Sequence, residues 1–160
     1  MKEILVNIEK CVACKSCEIA CRVEHSISKN LFTAIFEEQL PKKRVFVEKI
    51  DDKVLPLQCR NCDDSPCITA CMTGAMHKDE RGVTICDEYK CVGCFMCVMV
   101  CPFGIIVPDL QLRNVIKCDR CPGKEIPACV EACPTNALQF SDASTFSGDR
   151  RKFYVKNITI

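Results

Sequence analysis

The chain has 160 residues, 22 Lys and Arg against 21 Asp and Glu, no Trp and 17 cysteines. That length suits one domain or two very small ones, and so few aromatics leave little for a large conventional core. No apolar stretch approaches the roughly 20 residues that a membrane-spanning helix needs.

Cysteine usage sets the compartment. A secreted chain this rich in cysteine would suggest a disulfide scaffold. Here the count is odd, the cysteines fall in tight runs, and the first residues have no apolar signal-peptide core. A reducing, cytoplasmic location is the expectation.

Residues 4–8, Ile-Leu-Val-Asn-Ile, read as a short strand. The first run follows: Cys11, Cys14, Cys17 and Cys21, spaced C-x2-C-x2-C-x3-C. His25 lies just after it and reads as a surface or hydrogen-bonded histidine. Residues 30–38 have apolar positions at 31, 32, 35 and 36, a helical spacing that Pro41 ends. Residues 44–50 and 54–57 flank Asp51-Asp52 and predict a β-hairpin inserted between cysteine runs, with Pro56 at a sheet edge.

The second run is Cys59, Cys62, Cys67 and Cys71, with a turn-forming gap at 63–66. His77 reads as a surface residue. Thr84-Ile85 is the expected strand before the third run. Cys86 stands alone where the repeat has Val or Ile, and reads as a small buried packing residue rather than a ligand.

The third run is Cys91, Cys94, Cys97 and Cys101 followed by Pro102. This C-x2-C-x2-C-x3-C-P spacing is the one bacterial ferredoxins use for [4Fe–4S] clusters. Three cysteines on one loop reach three irons of a cuboid cluster. The fourth, at the start of a helical turn, points to a neighbouring cluster. Zinc sites instead combine two separated pairs and close at four ligands. Gly93 frees the backbone beside Cys94, either for a partner or for the cluster.

Residues 108–114 form a connector. The fourth run is Cys118, Cys121, Cys129 and Cys133-Pro134. The runs alternate in type. Lys10-Cys11-Val12 returns as Lys90-Cys91-Val92, and Cys71-x-Thr73-x-Ala75 returns as Cys133-x-Thr135-x-Ala137. A duplicated two-cluster module is the natural reading. Residues 141–149 read as a polar loop, and 153–160 as a strand or a tail.

Sixteen cysteines suffice for four [4Fe–4S] clusters, leaving only Cys86. Iron held by four thiolates has no open position for substrate, so the chemistry expected is one-electron transfer by a subunit without its own active site. Each oxidised cluster with its thiolates carries about −2, which moves the loaded chain to roughly −7 and argues against nucleic acid. A zinc-binding interaction module and an enzyme that uses one cluster are the other classes.

With these runs the chain resembles the four-cluster electron-transfer subunits of dimethyl sulfoxide reductase, formate dehydrogenase and anaerobic hydrogenase complexes. The resemblance covers residues 1–140. Cys14-Lys15-Ser16-Cys17-Glu18-Ile19-Ala20-Cys21 with residues 23–26, Pro56-Leu57-Gln58-Cys59, and the run from Cys91 to Gly104 look most like the iron–sulfur subunit of anaerobic nickel carbon monoxide dehydrogenase. Arg22 and Met72 depart from the proline that often follows the fourth cysteine.

The resemblance implies an α+β polyferredoxin domain over 1–140, with two interleaved modules, little regular secondary structure and a tail at 141–160. It implies four ligand sets. Cys11, Cys14 and Cys17 take Cys133; Cys118, Cys121 and Cys129 take Cys21. Cys59, Cys62 and Cys67 take Cys101; Cys91, Cys94 and Cys97 take Cys71. The internal repeat alone also permits sequential pairing. The implied donor is carbon monoxide dehydrogenase and the implied acceptor a hydrogenase or a nicotinamide-reducing flavoprotein. The alternative is a subunit of a formate dehydrogenase, hydrogenase or molybdopterin oxidoreductase complex.

Overall fold

A computed structural model describes residues 2–158. The fold is α+β, made of short helices and four two-stranded antiparallel ribbons. In chain order, strand β1 (Glu3–Val6) leads into the first cysteine run and helix α1 (Ser16–Glu24). A single turn of helix, α2 (Leu31–Ala34), precedes strands β2 (Val45–Ile50) and β3 (Lys53–Gln58). Then come α3 (Pro66–Thr69), β4 (Met76–Lys78), β5 (Thr84–Cys86) and α4 (Met96–Met99). Strands β6 (Val107–Asp109) and β7 (Asn114–Ile116), helix α5 (Ala128–Glu131), strand β8 (Leu138–Ser141) and helix α6 (Ala143–Asn157) complete the chain.

Strand β1 pairs with β8, from Glu3 opposite Ser141 to Val6 opposite Leu138. This ribbon joins the first cysteine run to the last, and α1 packs on α5 beside it. The two central runs meet in the same way, through α3 on α4. Two small cores result. One gathers Ile4, Val45, Val47 and Leu138 with Cys17, Cys21, Cys118 and Cys129. The other gathers Met76, Ile106 and Val115 with Cys97.

Corresponding positions of the cysteine runs share backbone conformations. Lys15 before α1 and Phe95 before α4 both sit at φ 59°, and Ala13 (57°) matches Gly93 (66°). Gly74 (67°) matches Asn136 (51°) in the two Cys-x-Thr-x-Ala tails. Left-handed backbone costs non-glycine residues about 1–2 kcal/mol each. These loops therefore hold a costly shape, which turns successive cysteines toward one centre.

The inserted hairpin forms as expected, with Asp51 at φ 52° in its two-residue turn. Pro56 faces Val47 in this two-stranded ribbon, where no further strand needs its missing N–H. The hairpin is tied down by buried polar groups. The Val47 N–H donates to Glu18 Oε1 at 2.6 Å, and Gln58 Nε2 donates to the Ile4 carbonyl at 3.1 Å.

Three segments differ from their sequence reading. The helix expected over 30–38 is one turn, capped by the Asn30 side chain, which accepts from the Phe32 N–H. Phe32 and Phe36 have nothing to pack on, being 76% and 84% exposed, so the helix does not extend. Residues 108–114 are no plain connector: β6 and β7 form a hairpin whose turn is shaped by Asp109 Oδ1, which accepts from the N–H groups of Gln111 and Leu112. Residues 143–157 are helical rather than loop or strand. Helix α6 buries no residue, so it leaves no apolar periodicity to read. Arg150 fastens it, donating to Asn7 Oδ1 at 2.7 Å and pairing with Glu9 at 2.9 Å. The end of the stretch read as a tail, residues 159–160, lies outside the described residues.

Gly93 has an intramolecular reason. A Cβ built there would lie 2.4 Å from the Arg113 carbonyl oxygen, whereas one at Gly104 (φ 61°) would meet nothing within 4 Å. Gly104→Ala should therefore cost only the about 1–2 kcal/mol of its backbone, and Gly93→Ala distinctly more. Thermal bleaching of the two loaded variants measures this; equal losses would show that the Arg113 contact does not matter.

Candidate metal centres

Two cavities are lined by thiols. Cys59, Cys62, Cys67 and Cys101 line one cavity with Pro66, Phe103 and Ile106. Cys71, Cys91, Cys94 and Cys97 line a second cavity with Met76, Phe95 and Val115. In each, three cysteines of one run are joined by the fourth cysteine of the other.

The other eight run cysteines gather around α1 and α5. Burial pushes the Cys17 thiol up to about 11, and the charges of Cys133 and Cys14 push the same way. Burial takes Cys118 to about 12 and Cys121 to about 11, and raises Cys129 further still. The charge of Cys21 adds to all three shifts, so Cys21 stands among Cys118, Cys121 and Cys129. Cys11 is half-buried on the loop toward Cys14.

Three thiol pairs link the four runs in series. Cys17 acts on Cys129, Cys59 on Cys118, and Cys67 on Cys97, each close enough for one charge to shift the other. These links run from the first-run group to the fourth, second and third. At the two ends, Cys14 and Cys94 are exposed.

Hydrogen bonds reach the sulfurs. Backbone N–H groups of Arg44, Asn61 and Met76 donate to the Sγ atoms of Cys21, Cys59 and Cys71, at 3.2, 3.4 and 3.4 Å. The repeated threonines gain a role the sequence did not disclose. Thr73 Oγ1 lies 3.6 Å from Cys71 Sγ, and Thr135 Oγ1 lies 3.8 Å from Cys133 Sγ.

Cations are buried beside the thiols. Lys117 is 4% exposed, and its Nζ donates to the carbonyls of Thr84 and, at 3.0 Å, Cys118. No carboxylate pairs with it among the described residues. Arg44 pairs with Asp119, which also accepts from His25 Nε2 at 3.1 Å. A buried ammonium with only carbonyl partners calls for an anion nearby. With the thiol-lined cavity of Cys59, Cys62, Cys67 and Cys101 on one side and Cys118 on the other, the donor set and this charge fit anionic iron–sulfur clusters.

His25 was expected to be a surface or hydrogen-bonded residue, and the hydrogen-bonded reading holds. Nδ1 lies 2.7 Å from the Cys21 carbonyl, so both ring nitrogens face acceptors. Burial works against the charged ring, but the bonds to Asp119 and Cys21 prevail and raise it to about 9. His25, Asp119 and Cys121 lie within metal-ligand distance of one another. The bond to Arg44 and the place of Cys121 in its thiol group make this a charge network instead. His77 is half-buried, with Nδ1 3.0 Å from the Ala75 carbonyl.

Cys86 packs on the second core from β5, as a packing residue should, but it is only half-buried. It also lines the cavity of Cys71, Cys91, Cys94 and Cys97. Cys86→Ala should nevertheless leave iron unchanged by chemical assay, since four thiols complete a cluster without it. A loss of about four irons per chain would make Cys86 a ligand. A second expectation follows from His25. Its folded value is raised, so its contribution to stability is complete below 6.5 and disappears as pH rises through about 9. Between those limits the wild-type chain should lose stability relative to His25→Gln in thermal melts. Parallel pH profiles would exclude a charged His25.

Residues 50–143 match the family described as 4Fe-4S dicluster domain. An "Iron-sulfur protein" of Rhodospirillum rubrum is 40% identical over 159 residues, an alignment covering 89% of this chain and 83% of that one. The "Probable anaerobic dimethyl sulfoxide reductase chain YnfG" of Escherichia coli (strain K12) is 34% identical, with 84% and 70% covered. The "Thiosulfate reductase electron transfer subunit PhsB" of Salmonella typhi is 30% identical, with 86% and 73% covered. With more than half its length matched, the chain belongs to the 4Fe-4S dicluster domain family of iron–sulfur proteins.

Proposed function

We propose that the chain is the electron-transfer subunit of an oxidoreductase complex of the dimethyl sulfoxide or thiosulfate reductase type. It carries single electrons through four [4Fe–4S] clusters between a catalytic subunit and a second redox partner. The observation that carries this is the series of four thiol groups with one exposed cysteine at each end. The names of the relatives support the sulfur-compound reductase type. They do not carry carbon monoxide dehydrogenase, the donor implied by motif resemblance.

In this reading Cys11, Cys14, Cys17 and Cys133 form the first ligand set, and Cys118, Cys121, Cys129 and Cys21 the second. Cys59, Cys62, Cys67 and Cys101 form the third, and Cys91, Cys94, Cys97 and Cys71 the fourth. Two duplicated modules make up one unit over 1–140. Bound [4Fe–4S] clusters supply one-electron chemistry at low potential. The chain's own residues hold the thiolates, keep water from the inner sets and donate hydrogen bonds to sulfur, and those bonds, with exposure, set the potentials.

The two ends offer different docking faces. Residues 91–106, around Cys94, contain no charged residue, and Val92, Met96 and Met99 are exposed there. Around Cys14, Lys10, Lys15 and Arg22 are exposed. A two-ended relay has use for two partners of different surface chemistry.

The test begins with anaerobic purification and iron and sulfide assays, where about sixteen irons per chain are expected. About eight would overturn the four-cluster reading. The reduced protein is then mixed with catalytic amounts of a sulfoxide or thiosulfate reductase catalytic subunit and its substrate. Re-oxidation supports the proposed partner type. Reduction by carbon monoxide with the nickel dehydrogenase, without response to the sulfur compounds, would replace it with carbon monoxide dehydrogenase.

A further inference from the structure

Lys117 is the one side chain whose charge the fold buries between two thiol groups without an acidic partner among the described residues. It precedes Cys118, and its Nζ donates to the Cys118 carbonyl at 3.0 Å. The same Nζ donates to the carbonyl of Thr84, and Thr84 lines the cavity of Cys59, Cys62, Cys67 and Cys101. Its charge is felt at the Cys67 thiol, which it lowers against the effect of burial. Lys117 therefore stands where the fourth-run group meets the second-run group, the middle junction of the series. The other buried cations differ. Arg120 pairs with Glu3 at 2.9 Å, and the half-buried Arg44 pairs with Asp119.

We propose that Lys117 is an electrostatic positioning residue that makes the two middle clusters easier to reduce than the two terminal ones would be in the same surroundings. This rests on the four-cluster reading above. Adding an electron makes a cluster more negative by one charge. A fixed ammonium in a site of low dielectric stabilises that change directly, and salt does not screen it as it would at the surface. Carbonyl partners orient the ammonium without cancelling its charge, as a carboxylate would. The effect falls with distance, so it acts on the two adjoining sites and fades toward Cys14 and Cys94. An electron entering at either end is then drawn inward, and the middle of the relay holds charge between partner encounters.

The experiment is an anaerobic redox titration of the purified, loaded protein followed by electron paramagnetic resonance, with iron assayed in every sample. Lys117→Met removes the charge at similar volume. Lys117→Gln removes it and keeps a donor for the Thr84 carbonyl. Lys117→Arg keeps the charge. The expected result is that two of the four midpoint potentials fall in the Met and Gln variants, the other two hold, and Arg stays near wild type. Should the Met variant assemble poorly, the Gln variant gives the reading. Potentials unchanged in Gln, or an equal fall in Arg, would overturn the proposal. A uniform fall of all four would overturn its placement at the middle junction. Wild-type protein that itself lacks four clusters would instead overturn the reading on which the proposal rests.

Discussion

The structure depends on gathering thiols that are far apart in sequence and expensive to ionise where they lie. Burial drives Cys118 to about 12 and raises Cys129 beyond it. At neutral pH such thiols keep their protons unless a metal cation lies beside them. Cluster loading and folding are therefore one process, because the buried thiolates are stable only next to iron and the loops bring them together. The two small cores fit this account. Thiols supply half of the buried members of the first, so the apolar side chains alone do not hold the runs in place.

Some of this was legible in the sequence, and the reason is local geometry. The x2 and x3 spacings encode loop and turn directly, so the sixteen cysteines stood out. The hairpin was legible because Asp51-Asp52 sits between two short β-rich stretches. Helix α6 was not, because it is fastened by Arg150 and buries no side chain. The single turn of α2 was overread, because apolar spacing says nothing of whether a core exists to receive it. The left-handed positions at Lys15 and Phe95 carry no residue-level sequence signal, since glycine and asparagine are the usual markers and neither is one.

The grouping of runs was open from the repeat alone, and tertiary packing bears on it. Strands β1 and β8 tie the N-terminal run to the C-terminal one, and α1 lies on α5. The central runs then have only each other, through α3 on α4. Sequential pairing would need α1 against α3, with the hairpin β2–β3 displaced from its bonds to Glu18 and to the Ile4 carbonyl. Buried bonds of this kind are costly to leave unmade.

The spacing also sets the scale of the series. The third and fourth cysteines of a run are four residues apart, and Cys17 and Cys21 are both buried within α1. Four residues of helix rise about 6 Å and return to nearly the same face. In the proposed ligand sets, a single turn thus carries one ligand for a group and one for its neighbour. A shorter version recurs at α3, α4 and α5, where Cys67, Cys97 and Cys129 lie within the helix and Cys71, Cys101 and Cys133 lie just past its end. Within the first and fourth runs, and within the second and third, such a turn sets the scale of separation, whereas the middle link from Cys59 to Cys118 is set by tertiary packing. Electron tunnelling falls steeply with separation, so the x3 gap that looks like a detail of the motif keeps thiols short distances apart at the two outer steps, and packing at Cys59 and Cys118 must do so at the middle one.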